Sequence, residues 1–271
     1  MPLATFHLLR LSPSTSPTSF LSSLRTSPNA PSIIIASRPR FLVIRPTHLD
    51  TAPLASQPWD LLLLLLPSSP ASSSSPTSSI PASLHPLITA TYNLTIGIPS
   101  RLLASYPSRN AELLRAAPTA PLTGSLDHAQ TQSSSQNLEL SPDLARLMAE
   151  LETVYTGPVT QLNLLQFQKE GGGKESYAAY GRGFVEVAGR RGGDAKIVGN
   201  VVRHAGEEKE EGWDEISLVH YASIRHFCDM LAGPDYQEIN AKYRLGALKD
   251  TVLMCTTELD LQDSVTGAPK L

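Results

Sequence analysis

The feature that most restricts the fold is a run of element signals between Pro158 and Leu261. Val159-Thr-Gln-Leu-Asn-Leu-Leu-Gln-Phe167 is an apolar run with polar residues set inside it, about the length of one strand. Gly171-Gly-Gly173 breaks the pattern, and Tyr177, Tyr180, Phe184 and Val187 then recur at three- and four-residue spacing, which places them on one stripe of a helix ended by Gly192-Gly193. Lys196 to Val202 is β-branched and strand-like, Glu207 to Gly212 reads as a solvated turn, and Trp213 to Tyr221 is a third strand. Ser223 is placed to cap a short helix carrying Ile224, Phe227, Met230 and Leu231; Gly233-Pro234 interrupts it, and Tyr236, Ile239 and Tyr243 continue it. Thr251 to Thr257 closes the run as a strand. The order βαββαβ is the split-βαβ, ferredoxin-like pattern.

Leu162-Asn-Leu-Leu165, Tyr177-Ala-Ala-Tyr180, Gly192-Gly193, Trp213-Asp214, Tyr221-Ala-Ser223, Phe227, Asp235-Tyr-Gln237 and Arg244-Leu-Gly-Ala-Leu248 together give this stretch a specific signature. In these residues it resembles the DUF1330 family of the dimeric α/β-barrel superfamily, departing from it at Ala222, where the family usually has proline. The resemblance implies a four-stranded antiparallel sheet with helices on one face, whose open face pairs with a second copy to close a barrel. It implies no reaction: relatives by fold include cofactor-free monooxygenases, haem-degrading enzymes, isomerases and stress proteins, and a fold does not determine a function.

The N-terminal half repeats the same order in weaker form. Leu3 to Leu11 is strand-like, Ser19 to Leu24 is a short helix candidate, and Ile33-Ile-Ile-Ala36 and Phe41-Leu-Val-Ile44 supply strand residues. Pro58-Trp59-Asp60 introduces a strand of six leucines as Gly212-Trp213-Asp214 introduces the third strand of the later half, at an offset of 154 residues. His7 to Leu11 aligns with Asn163 to Phe167 at an offset of 156. Two matches at nearly one offset and in the same order suggest a repeat. Pro67 to Ser79 follows as a Ser/Pro-rich loop, Ile80 to Leu87 as a stunted helix, Ile88 to Ile96 as a fourth strand, and a helix from Ser100 is expected to break near Pro107. Asn137-Leu-Glu-Leu140 is a candidate edge strand, and Ser141-Pro142 starts a helix through Leu151. The expected class is therefore α+β, with tandem ferredoxin-like βαββαβ units forming an intramolecular dimeric α/β-barrel. Residues 1–117 form a degenerate unit, 118–157 a linker with a helix, 158–261 the second unit, and 262–271 a flexible tail. The alternative is a disordered N-terminal half before one dimerising domain, so the expected state is a monomeric pseudo-dimer or a homodimer.

Charge is unevenly placed. Residues 1–125 carry eight arginines, no lysine and three acids, net +5, against a formal −3 for the whole chain of 271 residues. The arginines are scattered and lack interleaved aromatic platforms, which argues against nucleic-acid binding. Leu61 to Leu66 is far too short to cross a bilayer as a helix, so no membrane span is expected. Cys228 and Cys255 have neither zinc nor redox spacing and read as core residues of a reducing, cytoplasmic environment. The acid-free, Arg- and Ser-rich segment 1–49 has the composition of a mitochondrial transit peptide, which makes that compartment the alternative.

The candidate chemistry is concentrated in the second half. Asn163 lies mid-strand in an apolar run, where an unbonded amide costs roughly 1–3 kcal/mol, so either a ligand or neighbouring backbone must bond it. His220, at the end of a strand, is a candidate general base, and Asn163 a candidate oxyanion or substrate donor. Tyr180, Tyr221, Tyr236 and Arg244 are candidate substrate-binding residues, with Arg244 able to hold a carboxylate or to pair with Asp235 or Glu238. His226 is expected at the surface or behind the site. There is no metal-ligand spacing, GxGxxG, P-loop or GxSxG, so no cofactor is expected. Two readings follow: a cofactor-free oxygenase, isomerase or decarboxylase acting on a small aromatic or acidic metabolite, or a non-catalytic, stress-associated binding barrel.

Overall fold

The computed structural model describes residues 1–68, 79–202 and 211–259. Most of the Ser/Pro-rich loop, most of the charged turn at 207–212 and the expected 262–271 tail lie outside the described residues. The first half contains β1 (Leu3–Leu11), α1 (Pro17–Thr26), β2 (Ser32–Ile44), α2 (Thr51–Ala55), β3 (Leu61–Leu66), a 3₁₀ turn (Ala82–Leu87) and β4 (Ile88–Gly97). Helices α3 (Ser100–Ala116) and α4 (Pro142–Glu152) lead to the second half, which contains β5 (Val159–Phe167), α5 (Gly173–Gly189), β6 (Asp194–Val201), β7 (Glu215–Tyr221), α6 (Ile224–Ala232), α7 (Pro234–Ile239), a π-helical turn (Asn240–Arg244) and β8 (Leu248–Glu258).

The strands close into one antiparallel barrel in the order β1-β3-β2-β8-β5-β7-β6-β4. Within it the halves form the sheets β4-β1-β3-β2 and β8-β5-β7-β6, joined at seams β2–β8 and β4–β6. One contact recurs in both halves: the Asp60 carboxylate accepts from the Leu11 amide at 2.8 Å, and the Asp214 carboxylate accepts from the Phe167 amide at 2.8 Å. The backbone amides of Asp60 and Asp214 in turn donate to Leu9 and Leu165.

Alternation decides which side chains face inward. Ala4, Phe6, Leu8, Leu62, Leu64, Leu162, Leu164, Ile216, Leu218, Val252 and Met254 fill the barrel as one cluster, with Trp59 and Trp213 joining it. Outside, Leu61, Leu63 and Leu65 pack against Phe20, Leu21 and Leu24 of α1. On the second sheet Val159, Val219, Tyr221, Leu253 and Cys255 meet α4, α5, α6 and α7. Both cysteines are buried and free.

The strand residues expected at Ile33–Ala36 and Phe41–Ile44 lie in one strand, with a register shift beside Pro39, which cannot donate to the ladder, and another between Leu42 and Ile44. Three expectations need correction. Helix α3 runs through Pro107 without interruption. Asn137–Leu140 adds no strand, because a closed barrel offers no free edge; Leu138 instead turns at φ 59° and is buried against the second half. Trp213 precedes β7 rather than starting it. Residues of the 118–157 segment also bond to the second half: the Asp229 carboxylate of α6 accepts from the Thr123 amide at 2.8 Å and from the Leu126 amide at 3.2 Å.

Helix α3 lies over the barrel end where β5 begins and β7 and β8 finish. Its Tyr106 packs into the interior cluster, and Arg109 pairs with Asp194 at the start of β6. Among the described residues, no helix is long and apolar enough to cross a membrane.

Candidate functional site

Odd-numbered positions of β5 and β7 face the helices. Asn163 lies opposite Ser217 and Gln161 opposite Val219, so a polar floor is set among apolar neighbours. Helix α5 supplies the roof with Tyr177, Tyr180, Gly181 and Phe184, and Gly181 leaves room that a side chain would occupy. Between floor and roof is a cavity of about 260 Å³, also reached by Lys174, Glu215 and Tyr221.

Its aromatic wall is continuous: ring centroids of Phe167 and Tyr177, Tyr177 and Tyr180, and Tyr180 and Phe184 are 5.3, 5.2 and 5.8 Å apart. The Tyr180 and Tyr236 hydroxyls hydrogen-bond to each other at 3.0 Å, and their rings meet edge-on. Burial raises the pKa of Tyr177, Tyr180, Tyr221 and Tyr236, so all four stay protonated and able to donate.

Arg244 stands behind these phenols and its charge acts on all four. It ends the π-helical turn after α7, an irregularity that often marks functional positions. The side chain is 2% exposed, its Nη2 has no hydrogen-bond partner, and no carboxylate neutralises it among the described residues. Asp235, the partner its sequence position suggests, is taken by Arg191, whose Nη1 and Nη2 each reach the carboxylate at 3.0 Å. Asp229 is 3.3 Å from the same guanidinium.

The floor contains further unmet polar groups. Gln161 is buried, and among the described residues neither of its amide atoms is bonded. Asn163 donates to the Gln161 carbonyl at 3.3 Å, the backbone alternative open to it, while still lining the cavity. Glu215, which the sequence places only within the third strand, has its pKa raised by burial, with Lys174 opposing the shift. The signal available was its strict two-residue alternation with Ser217 and Val219.

The cavity thus brings together Asn163, Tyr180 and Tyr221, with Tyr236 and Arg244 behind them. It does not include His220. That residue pairs in register with Thr160 and faces the opposite side of the sheet, so His220 and Asn163 cannot act on one ligand. His226 is not a surface residue: it is buried on α6, its ring bonded to the Ser223 hydroxyl at 2.8 Å and the Ala120 carbonyl at 3.1 Å.

No family model and no curated protein matches the chain. Among solved structures it is similar to the RPA0582 protein of Rhodopseudomonas palustris, a protein of unknown function. In one structure the two are 30% identical over 41% of this chain and 89% of that one, with a TM-score of 0.35. The methylated form gives 29% identity over 43% and 92%, with a TM-score of 0.36. At 8% identity it is also similar to a protein of Lactobacillus acidophilus provisionally assigned as a monooxygenase, over 95% of this chain and 93% of the other, with a TM-score of 0.47. A protein provisionally assigned as a chlorite dismutase, TA0507, gives 10% identity over 98% and 99%, with a TM-score of 0.43.

Proposed function

We propose that the chain is a small-molecule-binding α/β-barrel protein whose helix-covered cavity takes a small aromatic or acidic metabolite. The observation that carries this reading is Arg244. A buried guanidinium without a counter-charge is costly, and a ligand carboxylate or phenolate entering beside Tyr177 and Tyr180 would supply that charge. The rings around it match a flat ligand body, and the unbonded Gln161 amide offers a second polar anchor.

Within this reading the reaction class is cofactor-free proton transfer, as an isomerase, decarboxylase or cofactor-free oxygenase performs it. Glu215 is the acid–base group, since burial moves its pKa toward neutrality and it shares the cavity with Asn163. A non-catalytic binding role uses the same cavity without Glu215, and the filled barrel interior is compatible with it.

We further propose that the two halves are tandem ferredoxin-like units, closed on each other as a dimeric α/β-barrel closes from two chains. The shared strand order and the Asp60 and Asp214 bonds support this. The test of function is a thermal-shift screen of benzoate, 4-hydroxybenzoate and phenylacetate. A binder raises the melting temperature because it selects the native state, and Arg244→Met should remove the shift. A flat response to all three acids, or a shift indifferent to Arg244→Met, would overturn the assignment.

A further inference from the structure

A second space, of about 460 Å³, lies at the α3-covered end of the barrel, within the range of small-molecule sites. Its walls include Ile34, Tyr106, Leu114 and Tyr155, and its polar edge is formed by Thr160, His220 and Glu258. The sheet separates it from the tyrosine cavity, since Thr160 and His220 alternate with Gln161 and Val219 along their strands.

Most polar groups here are satisfied. Glu258 pairs with Lys196, accepts from the Thr160 hydroxyl at 2.9 Å and accepts from Asn110 Nδ2 at 3.4 Å. Lys196 also donates to Asn110 Oδ1 at 3.1 Å, so the ion pair is complete and neutral overall. His220 is the exception: it is 1% exposed, and among the described residues neither ring nitrogen has a partner. Burial, then the Lys196 charge, lowers its pKa to about 4, so the ring is neutral at pH 7 and offers one donor and one acceptor.

We propose that this chamber binds a neutral phenol-type compound through a hydroxyl–imidazole hydrogen bond at His220. A hydroxyl can give to one ring nitrogen or take from the other, and the rings of Tyr106 and Tyr155 suit an aromatic body. An anion would face Glu258, and a cation would compete with Lys196 for it. This inference is independent of the Arg244 cavity and uses a residue that cavity does not contain.

The test is titration calorimetry of the full chain at pH 7 with 2-naphthol, with 2-naphthoate as the anionic comparison. The naphthol binds the wild type, His220→Leu weakens it roughly 3- to 10-fold, the worth of one neutral hydrogen bond, and Arg244→Met leaves it unchanged. Leu114→Trp fills the chamber from a helix position that is 44% exposed, so it keeps the fold and abolishes binding. The naphthoate shows the reverse dependence, on Arg244 and not on His220. Failure of the naphthol to bind, binding unweakened by His220→Leu, or binding that survives Leu114→Trp overturns the proposal. Naphthol binding that follows Arg244→Met instead puts the compound in the tyrosine cavity, and this proposal falls while the reading of that cavity stands.

Discussion

The two sheets share one inner surface and differ on their outer ones. Inward, both present apolar residues, Ala4, Phe6 and Leu8 from one and Leu162, Leu164 and Leu218 from the other. Outward, the first sheet presents leucines to α1 and closes over them, whereas the second presents Gln161, Asn163 and Ser217 to α5 and leaves a cavity. The first sheet is not free of polar groups: His7 bonds to Asn93 at 2.6 Å and Thr5 at 2.9 Å beside a space of about 230 Å³. The difference is that these groups satisfy one another, while Gln161 and Arg244 do not. Barrel closure restricts the inner faces of both halves, since every strand must bury alternate residues there. The outer faces carry no such joint restriction and are where the halves diverge.

The strongest way to break the comparison is to charge the closed face. Leu63 is fully buried on β3, between β1 and β2, and Leu63→Asp places an unpaired carboxylate there. The expected loss is on the order of 5 kcal/mol, enough to unfold the chain in thermal denaturation. Val154→Asp, at a position 73% exposed, should leave the melting temperature where it is. A folded Leu63→Asp protein would mean the leucine strand is not part of the core.

Each half also buries one neutral histidine, which makes the comparison testable by pH. His7 and His220 both have pKa values lowered to about 4, chiefly by burial, against about 6.5 in an unfolded chain. Between these values the unfolded state binds protons that the folded state does not, so stability is intact above pH 6.5 and falls as pH drops toward 4. Between pH 6.5 and 4.5 each histidine should remove roughly 2 kcal/mol, with Glu215, whose pKa is raised, acting in the opposite sense. Urea denaturation across that range, on wild type, His7→Asn and His220→Leu, measures it. A slope unchanged in both variants would show that these rings are not buried neutral.

The second half was legible because its apolar stripes are dense and its breaks are glycines: Tyr177 to Val187 is a helix stripe on any reading. The first half was legible mainly through Trp59-Asp60, where a repeated hydrogen bond underlies a repeated dipeptide. Of the residues expected to bind substrate, Tyr180 and Tyr221 line the cavity, while Tyr236 and Arg244 stand behind that lining. His220 does neither, because function type was read without strand parity; counting from Asn163 through its register partner Ser217 places His220 on the other face. The same parity places Glu215 on the cavity face with Ser217 and Val219, whereas its burial depends on the helix above that face, which no local pattern shows. The fate of Asp235 was equally invisible, since Arg191 reaches it from across 44 residues of sequence.

Removing the unmet charge should act on the free protein in the direction opposite to its effect on binding. Arg244→Met replaces a buried guanidinium with an apolar side chain of similar reach, a change that is often neutral or stabilising once no ion pair is lost. The unliganded variant should therefore melt no lower than wild type, while losing the response to aromatic acids. A marked drop in its melting temperature would instead make Arg244 a structural support of the tyrosine cluster.

The smallest expected effect is the most discriminating. His7 is the first half's nearest equivalent of Asn163, at an offset of 156, and it lies on the outer face of the other sheet. His7→Ala deletes two hydrogen bonds, worth about 1 kcal/mol each, and should lower the melting temperature by a few degrees. It should leave the affinity for an aromatic acid within about twofold, because two hydrogen-bond terms in a distant sheet have no contact with Arg244 and distant sites combine additively. Calorimetric titration of the two variants side by side decides it. If His7→Ala abolished binding and Arg244→Met left it intact, the ligand would belong to the first sheet, and the contrast between satisfied and unsatisfied outer faces would have pointed to the wrong half.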